Sequence, residues 1–319
     1  MTGQVTGQAD GEETGTNLRT PETPLISVIV PFLDAAVWLP RCLEGLARQT
    51  FPAARVEFLF ADNNSSDDGP AIVRQHTWIQ LLTESSQGAY AARNRAARYA
   101  RGDILAFLDP DCVPAPDWLH RIATGMEDRS VGILIGVYTL ADRPWSVRPL
   151  VAYENEKTCY AYESGDATVY FGHTNNMAIR ASLLAALGGF VERSRGSDTI
   201  FVRRAVEQFG TEVARADDRL LVSHLEIDSV ATYCRKMLTY ARSRESYRDL
   251  SVTRSLTLRE RLRVFIQTAR RNRYGLSGIS TLFILLAYGL TWWEMGRLRG
   301  RLERLSGARA KPDPTRTSS

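Results

Sequence analysis

Residues 104–111 read Ile-Leu-Ala-Phe-Leu-Asp-Pro-Asp, an apolar run that ends in the two carboxylates of Asp109 and Asp111. A short continuous apolar run is typical of a strand buried on both faces of an α/β sheet. Ligands of such sheets bind at the carboxyl ends of the strands. Two carboxylates there repel each other, and a divalent cation such as Mg²⁺ relieves the repulsion and binds substrate phosphates. A loop with two solvated acids is the alternative.

Strands and helices alternate upstream of this stretch. Apolar runs predict four strands, at Leu25–Leu33, Val56–Ala61, Ile79–Leu82 and Asp103–Leu108. Helical periodicity predicts helices between them, at Ala36–Gln49, Ala71–His76 and Gly88–Arg101. The alternation predicts βαβ units and a mostly parallel sheet flanked by helices. Downstream, a less regular pattern predicts strands at Val131–Leu140 and within Val169–Arg180, and helices at Ala181–Ala186 and Asp198–Gln208.

Composition and charge limit the class of protein. The chain has 319 residues, of which 44% are hydrophobic and 24% charged, as in an ordinary folded protein. Residues 235–319 carry 19 basic and 6 acidic side chains, and such a segment is attracted to anionic lipid or nucleic acid. The four cysteines form no C-x-x-C pair, which argues against a zinc site or disulfide framework and favours a reducing compartment.

A polar segment follows each of the four predicted strands. The segments are Pro31-Phe32-Leu33-Asp34, residues 62–69, residues 88–94 and Asp109-Pro110-Asp111. In order and spacing, this set resembles the nucleotide-binding half of the family 2 glycosyltransferases, which have the GT-A fold. The resemblance is strong from Leu25 to Leu119 and extends more weakly to about Tyr240.

The resemblance implies an inverting enzyme that moves a sugar from a nucleotide-diphosphate donor, with uridine mildly favoured, to a hydroxyl acceptor. It also implies Mg²⁺ or Mn²⁺, which would neutralise the departing diphosphate. The implied donor-nucleotide residues are Pro31, Asp34, Asp62, Asn63, Arg93, Asn94 and Asp109. The implied metal ligands are Asp109, Asp111 and His224. Cys112 beside them is expected to pack, because these cations prefer oxygen.

Several of these side chains also have a plain structural interpretation. Asp62 suits the N3–H of a uracil-like base, but Asp is an ordinary residue of turns and helix caps. Arg93 can pair with a diphosphate or stack on a base, or it can lie on a helix surface. His224 can be a ligand or a satisfied core residue. Asn175 and Asn176 resemble a segment that closes over the donor sugar, although a loop role fits them equally.

The reaction also needs a base that takes the acceptor's proton. Family members often carry an acidic pair after a Gly-Gly-Phe segment, which here is Gly188-Gly189-Phe190. Ser197 stands at the first position of the pair and Asp198 at the second, so Asp198 is the predicted base and Glu192 the reserve candidate. Helix capping by Ser197 and Asp198 is the alternative.

The C-terminal part predicts contact with a membrane. Arginine-studded helices with an apolar stripe are predicted at Ala231–Arg248 and Leu256–Arg273. Tyr274–Trp293 then runs twenty residues without a charge, which is long enough to span a bilayer. Arginines flank both ends of this segment, so the orientation stays open. A helix lying in the interface, with Trp292 and Trp293 at headgroup level, and a buried core helix are the alternatives.

The predicted organisation has four parts: a disordered leader at 1–24, a GT-A catalytic domain at 25–230, a basic helical region at 231–306 and a disordered tail at 307–319. The catalytic domain divides into a nucleotide-binding half, 25–119, and an acceptor half, 120–230, and the apolar segment 274–293 belongs to the helical region. Residues 1–24 lack the apolar core of a signal peptide. We therefore expect the protein at the cytoplasmic face of the cell membrane, in polysaccharide or glycolipid synthesis, with an acceptor that is lipid-linked or a polysaccharide.

Three other functions compete with this prediction. A catalytically silent relative that binds nucleotide or membrane as an assembly partner is favoured by the altered acidic pair and opposed by the intact Asp109-Pro110-Asp111. A nucleic-acid binder is disfavoured because no aromatic-basic platform or zinc-finger pattern accompanies the arginines. A sugar nucleotidyltransferase would need a glycine-rich, basic phosphate loop where Pro31-Phe32-Leu33-Asp34 stands.

Overall fold

An eight-stranded mixed sheet forms the centre of the molecule in the computed structural model, which describes residues 26–141, 143–247 and 254–306. The predicted disordered leader and tail lie outside these residues. The strands are β1 (Ile26–Phe32), β2 (Val56–Asp62), β3 (Ile79–Thr83), β4 (Ile104–Leu108), β5 (Cys112–Pro114), β6 (Ile133–Tyr138), β7 (Asn176–Arg180) and β8 (Ala214–His224). They lie side by side in the order β3-β2-β1-β4-β7-β6-β8-β5.

The first four strands of the chain are parallel, as their alternation with helices predicts. In this block, Phe32 lies opposite Asp62 and Asp62 opposite Thr83, so the carboxyl ends of β1, β2 and β3 meet at one edge. β4 pairs with the other side of β1 in the same direction. The second half makes the sheet mixed, because β7 is antiparallel to both β4 and β6 and β5 is antiparallel to β8.

Helices cover both faces of the sheet. In the described part of the chain they are α1 (Leu39–Ala47), α2 (Gly69–Arg74), α3 (Ala89–Tyr99), α4 (Trp118–Gly125), α5 (Arg148–Glu163), α6 (Ala181–Ala186), α7 (Ser197–Phe209), α8 (Val230–Tyr247), α9 (Leu258–Arg271) and α10 (Leu276–Leu305). Side chains of α1, α2 and α4 pack on one face, and side chains of α3, α5, α6 and α7 pack on the other.

The alternating burial of β4 explains its continuous apolar sequence. Ile104, Ala106 and Leu108 belong to the core on one face, while Leu105 and Phe107 belong to the core on the other. Full burial of a large apolar side chain contributes about 1.5–3 kcal/mol, so every position of such a strand favours an apolar residue.

Neither α5 nor β5 has a clear pattern in the sequence. Residues 149–162, which carry a mixed aromatic and polar pattern, lie within the helix α5. Its amphipathic pattern is weak because it buries polar residues such as Glu156 and Thr158 along with apolar ones. β5 has only three residues, too few for a periodic signal, and it is held by pairing with β8.

The C-terminal helices pack on one another and on the α/β part. α10 approaches α8 closely along glycines, because a Cβ at Gly296 would lie 2.3 Å from the Leu238 carbonyl oxygen and one at Gly300 would lie 2.7 Å from the Arg242 carbonyl oxygen. Leu282 of α10 is buried with Tyr153 of α5. α10 is thus held to the rest of the molecule along one side.

α10 contains most of the predicted apolar segment and continues through the arginines that follow it. Among the described helices, it alone is long and apolar enough to cross a membrane, with a mean hydropathy of 1.4 in an eighteen-residue stretch of which 11% is buried. This criterion uses length and composition only, and core helices of soluble proteins also meet it.

Candidate donor and metal site

Asp111 and His224 meet because β5 pairs with β8. Cys112, the first residue of β5, lies opposite His224, the last residue of β8. The Nδ1 atom of His224 is 3.5 Å from Oδ2 of Asp111 and has no hydrogen-bond partner among the described residues, although it is buried. Burial, with the charges of Lys236 and Arg143, holds the pKa of His224 well below its usual range. The imidazole is therefore neutral, as a metal ligand must be.

These side chains fit a divalent cation. One carboxylate oxygen of Asp111, one ring nitrogen of His224 and the Cys112 sulfur all lie within 4.8 Å of one another. Burial raises the pKa of the Cys112 thiol well above its usual range, so the thiol keeps its proton. The donor set is then a carboxylate and a neutral imidazole, and Cys112 packs as the sequence predicts.

Asp111 lies in a crowded and largely dry environment. Burial raises its pKa to about 7; the charge of Lys236 opposes the shift, and Asp109 and Glu226 add to it. Glu226 also lies within hydrogen-bonding reach of the Asp111 carboxyl group. Such an environment favours either a proton or a cation on Asp111.

Arg93 is the partner of Asp109. The Arg93 guanidinium of α3 forms a short ion pair with the Asp109 carboxylate and lies over the Tyr90 ring, 5.1 Å from its centroid. The sequence around Asp109 contains no cation, and the fold supplies one from a helix sixteen residues earlier. Arg93 is buried, which excludes the surface-helix interpretation.

The loops after β1 and β2 are tied together through carboxylates. Asp34 accepts a hydrogen bond from the Ser66 N–H at 2.7 Å, and Asp62 accepts one from the Ser65 N–H at 2.9 Å. Asp34 has a φ of 47°, a left-handed conformation that Asp tolerates better than most residues. Pro31 lies inside β1 and is buried. The residues of this segment that can line the edge of the sheet are therefore those beyond the end of β1.

The amides of Asn63 and Asn94 are occupied by backbone groups. Asn63 donates to the carbonyls of Glu84 and Ser86 and accepts from the Gly88 N–H at 2.7 Å. Asn94 donates to the Phe190 carbonyl at 2.8 Å and accepts from the Phe190 N–H at 2.9 Å. Both residues therefore hold loops in place, and their contact with a donor stays a prediction.

Asp198 lies in the first turn of α7. Its Oδ1 accepts from the Thr199 N–H at 2.8 Å, and its carboxylate also hydrogen-bonds with the Tyr90 hydroxyl. Burial raises the pKa of Asp198, although these hydrogen bonds and the charge of Arg93 oppose the shift. Ser197 is fully buried and donates to the Val191 carbonyl, so it cannot replace the missing acid. Glu192 is exposed, and its Oε1 lies 3.3 Å from the Asn94 amide nitrogen.

Asn176 is a core residue. Its amide donates to the carbonyls of Val137 and Leu220 and accepts from the Trp118 indole N–H at 2.8 Å, with no exposed surface. It therefore has no group left for a sugar hydroxyl, in contrast to the expectation from sequence. The amide of its neighbour Asn175 contacts the Tyr138 hydroxyl at 3.1 Å.

Sequence reasoning missed three charged residues around His224. Arg143, from the loop after β6, donates to the His224 and Ile227 carbonyls and to the Ser223 hydroxyl. Lys236 and Glu226 form an ion pair of 2.6 Å next to the imidazole. No local pattern distinguishes Lys236 from the other basic residues of its helix, because only the packing of α8 brings it here.

Residues 27–188 match the family model of glycosyl transferase family 2. The chain belongs to this family. It is 36% identical over 122 residues to glycosyltransferase AglE of Haloferax volcanii, a match that covers 37% of this chain and 40% of AglE. It is 31% identical over 131 residues to the Escherichia coli glucosyltransferase WfgD, and this match covers 40% of the family 2 chain and 51% of WfgD. The chain spans about half or less of the length of these curated relatives.

Solved structures share the fold of this family 2 chain. The mannosyltransferase PcManGT of Pyrobaculum calidifontis, in complex with GDP-Man and Mn²⁺, superposes with a TM-score of 0.61 at 19% identity over 91% of this chain and 89% of that one. Glucosyl-3-phosphoglycerate synthase of Mycobacterium tuberculosis, with Mn²⁺ and UDP, gives a TM-score of 0.52 at 14% identity over 73% and 81%. These similarities confirm the predicted GT-A-like α/β fold.

Proposed function

We propose that the protein is a metal-dependent, inverting glycosyltransferase that moves a sugar from a nucleotide-diphosphate donor to a hydroxyl acceptor. One observation carries the proposal. A buried imidazole nitrogen of the neutral His224, with no hydrogen-bond partner in the described part of the chain, faces the Asp111 carboxylate next to the ends of the parallel strands of a family 2 sheet. Mn²⁺ or Mg²⁺ would be held by Asp111 and His224, with Asp109 close by, and would supply charge neutralisation for the diphosphate leaving group.

The donor nucleotide would lie across the ends of β1, β2 and β4. Asp34 and Asp62 line this edge and are fixed by hydrogen bonds from Ser66 and Ser65. We propose that the Asp62 carboxylate accepts the N–H of the base, while Asp109, held by Arg93, accepts the ribose hydroxyls. The bound nucleotides named for PcManGT and for the mycobacterial synthase differ in base, so both uridine and guanosine donors need testing.

Asp198 would act as the base toward the acceptor. It is the one member of the expected acidic pair that carries a carboxylate, and its raised pKa makes it a stronger base than an ordinary Asp. Ser197 and Asn94 hold the segment before α7 and thereby fix the position of Asp198. Inversion at the anomeric carbon rests on the family resemblance.

Thermal melting with Mn²⁺ or Mg²⁺ and a panel of UDP, GDP, TDP and their sugars tests this proposal. A ligand at 100 times its dissociation constant contributes about 2.7 kcal/mol, which raises the melting temperature by a few degrees. We expect one nucleotide to stabilise the protein only with metal, and Asp111→Asn to abolish this shift. Asp117→Asn, the same change at a half-exposed carboxylate paired with Arg121, is the matched control.

The outcomes separate the competing functions. Sugar transfer to an acceptor by the wild type, and loss of this transfer in both Asp111→Asn and Asp198→Asn, would support the transferase. A metal-dependent shift without transfer to any acceptor would favour a nucleotide-binding assembly partner. The absence of any shift in well-folded protein contradicts the proposed donor site.

We also propose that α10 attaches the protein to the cytoplasmic face of the membrane. One side of the helix is held by α8 and α5, and the other side exposes apolar residues such as Phe283 (66% exposed) and Ile284 (64%). The arginines at 297, 299, 301 and 304 pair with Glu245, Glu294 and Glu303 but stay partly exposed, so they can also interact with anionic headgroups. A helix held along its length in this way is suited to lie in the interface.

Sedimentation with vesicles of phosphatidylcholine and phosphatidylserine tests the attachment. The double variant Phe283→Ser/Ile284→Ser should lose binding, because two large apolar side chains no longer enter the bilayer. Phe209→Ser, at an exposed apolar position at the end of α7, is the control and should bind as the wild type does. Equal binding of all three proteins would contradict the role of α10.

A further inference from the structure

α8 carries a lysine into the acidic centre of the candidate site. The Nζ atom of Lys236 lies 2.6 Å from Oε2 of Glu226 and 3.3 Å from Nε2 of His224. Its side chain is 14% exposed, so its ammonium is largely removed from water. An ammonium in such a place is stable only with compensating carboxylates, which Glu226 and Asp111 supply.

The charges of the site show what Lys236 contributes. Three carboxylates, Asp109, Asp111 and Glu226, face three cations, Arg93, Arg143 and Lys236, so these charges sum to zero when His224 is neutral. One divalent cation adds two positive charges, which attract a diphosphate. Without Lys236 one of these two charges is lost, so the attraction weakens.

Lys236 is also the cation that can change partner. Arg93 is buried in its pair with Asp109. Glu226 is 48% exposed, so water can solvate its carboxylate when Lys236 leaves it. A lysine on a flexible four-carbon stem can then turn to a phosphate oxygen.

We infer that Lys236 is a binding residue for the donor's diphosphate: its ammonium leaves Glu226 and pairs with the phosphate oxygens held beside Asp111 and His224. The inference rests on the proposed nucleotide-sugar donor. It makes α8, in the basic helical region, part of the donor site. The same helix borders the acceptor side, since the Arg195 guanidinium lies over the Tyr240 ring, 5.9 Å from its centroid.

Two binding titrations on the full chain test the inference, because Lys236→Met should weaken the binding of a nucleoside diphosphate and strengthen the binding of Mn²⁺. Lys236→Met should weaken the affinity for UDP or GDP, in excess Mn²⁺, by about tenfold or more, because a charge-assisted contact is lost. The affinity for UMP or GMP should change by less than about twofold, because these nucleotides lack the second phosphate, which Lys236 would contact. Mn²⁺ binding without nucleotide, followed by electron paramagnetic resonance at a pH well above 7, where Asp111 is deprotonated in both proteins, should become tighter, because a repelling cation has been removed.

A purely structural lysine predicts a different result. Glu226→Gln removes the same ion pair but keeps the ammonium, so it should leave diphosphate affinity unchanged or improved. Equal weakening of diphosphate affinity by Glu226→Gln and Lys236→Met would overturn the inference, as would weaker Mn²⁺ binding in Lys236→Met. Lys236→Gln replaces Lys236→Met if the latter does not fold.

Failure of the inference differs from failure of the proposed function. If the wild type binds neither UDP nor GDP with Mn²⁺, the donor site itself is wrong and the role of Lys236 with it. If the wild type binds one of them in an Asp111-dependent manner and Lys236→Met binds it equally well, only the role of Lys236 is wrong.

Discussion

At the scale of single residues, Asp198 combines the two requirements of a general base, a raised pKa and a fixed orientation. Burial raises the pKa, while hydrogen bonds from Thr199 and Tyr90 and the charge of Arg93 stabilise the carboxylate and limit the shift. A general base works only when it is deprotonated, so with Asp198 in the proposed role we expect activity to fall as the pH falls through this raised pKa.

We predict that the acid limb of the pH profile of kcat/KM lies above the ordinary Asp range of about 4. Tyr90→Phe removes a hydrogen bond that favours the charged form, so it should move this limb to higher pH. Asp198→Asn should lower kcat by about 10²- to 10⁴-fold, the usual contribution of a general base, and leave nucleotide affinity unchanged. Initial rates between pH 4 and 9 with a transferable acceptor measure all three effects. Full activity of Asp198→Asn would refute the assignment.

At the scale of secondary-structure elements, Asn176 joins four of them at one point. It belongs to β7 and bonds to Val137 of β6, Leu220 of β8 and Trp118 of α4. Gly136 of β6 is required beside it, because a Cβ there would lie 2.1 Å from the Asn176 amide nitrogen.

We predict that Asn176→Leu destabilises the fold by about 3 kcal/mol or more, because each buried polar group left unpaired costs about 1–3 kcal/mol. Asn175→Leu makes the same change one residue away, where the amide hydrogen-bonds with the Tyr138 hydroxyl, and should cost about 1 kcal/mol. Urea denaturation measures both. A stable Asn176→Leu variant that loses donor-sugar binding would instead support the role expected from sequence.

The elements differ in how far the sequence determines them. β1 and β4 can be recognised in the sequence because both of their faces are buried, so their apolar runs end close to the true strand ends. The helix α5 cannot be recognised in the sequence, because polar residues such as Glu156 and Thr158 occupy buried positions and weaken its apolar pattern. The same holds for site residues: Asp111 follows a strand and is visible in sequence, whereas Lys236 reaches the site only through helix packing. Asn63 and Asn94 occupy the expected segments, but the fold uses their amides for backbone contacts.

At the scale of the whole molecule, the C-terminal helices link the proposed membrane surface to the proposed donor site. α10 exposes an apolar face and packs its glycines on α8, and α8 carries Lys236 next to His224. A change at the α8–α10 contact should therefore affect both stability and nucleotide binding, although it touches no residue of the site.

Gly296→Ala tests this link with a single methyl group. The new Cβ would lie 2.3 Å from the Leu238 carbonyl oxygen, a backbone atom that no side-chain rotation can move, so α8 and α10 must separate. We expect a net loss of up to about 2 kcal/mol, because overpacking costs about 1–3 kcal/mol and replacing glycine within a helix gains about 1 kcal/mol. Because Leu238 follows Lys236 by two residues, the affinity for a nucleoside diphosphate should also fall. Gly289→Ala makes the same change inside the same helix, where a Cβ would lie 3.4 Å from Cε1 of Tyr233, an ordinary contact distance; it is the matched control and should lower neither the melting temperature nor the affinity. If Gly296→Ala lowers the melting temperature but leaves diphosphate affinity intact, Lys236 keeps its place without α10, and the two functions are separate.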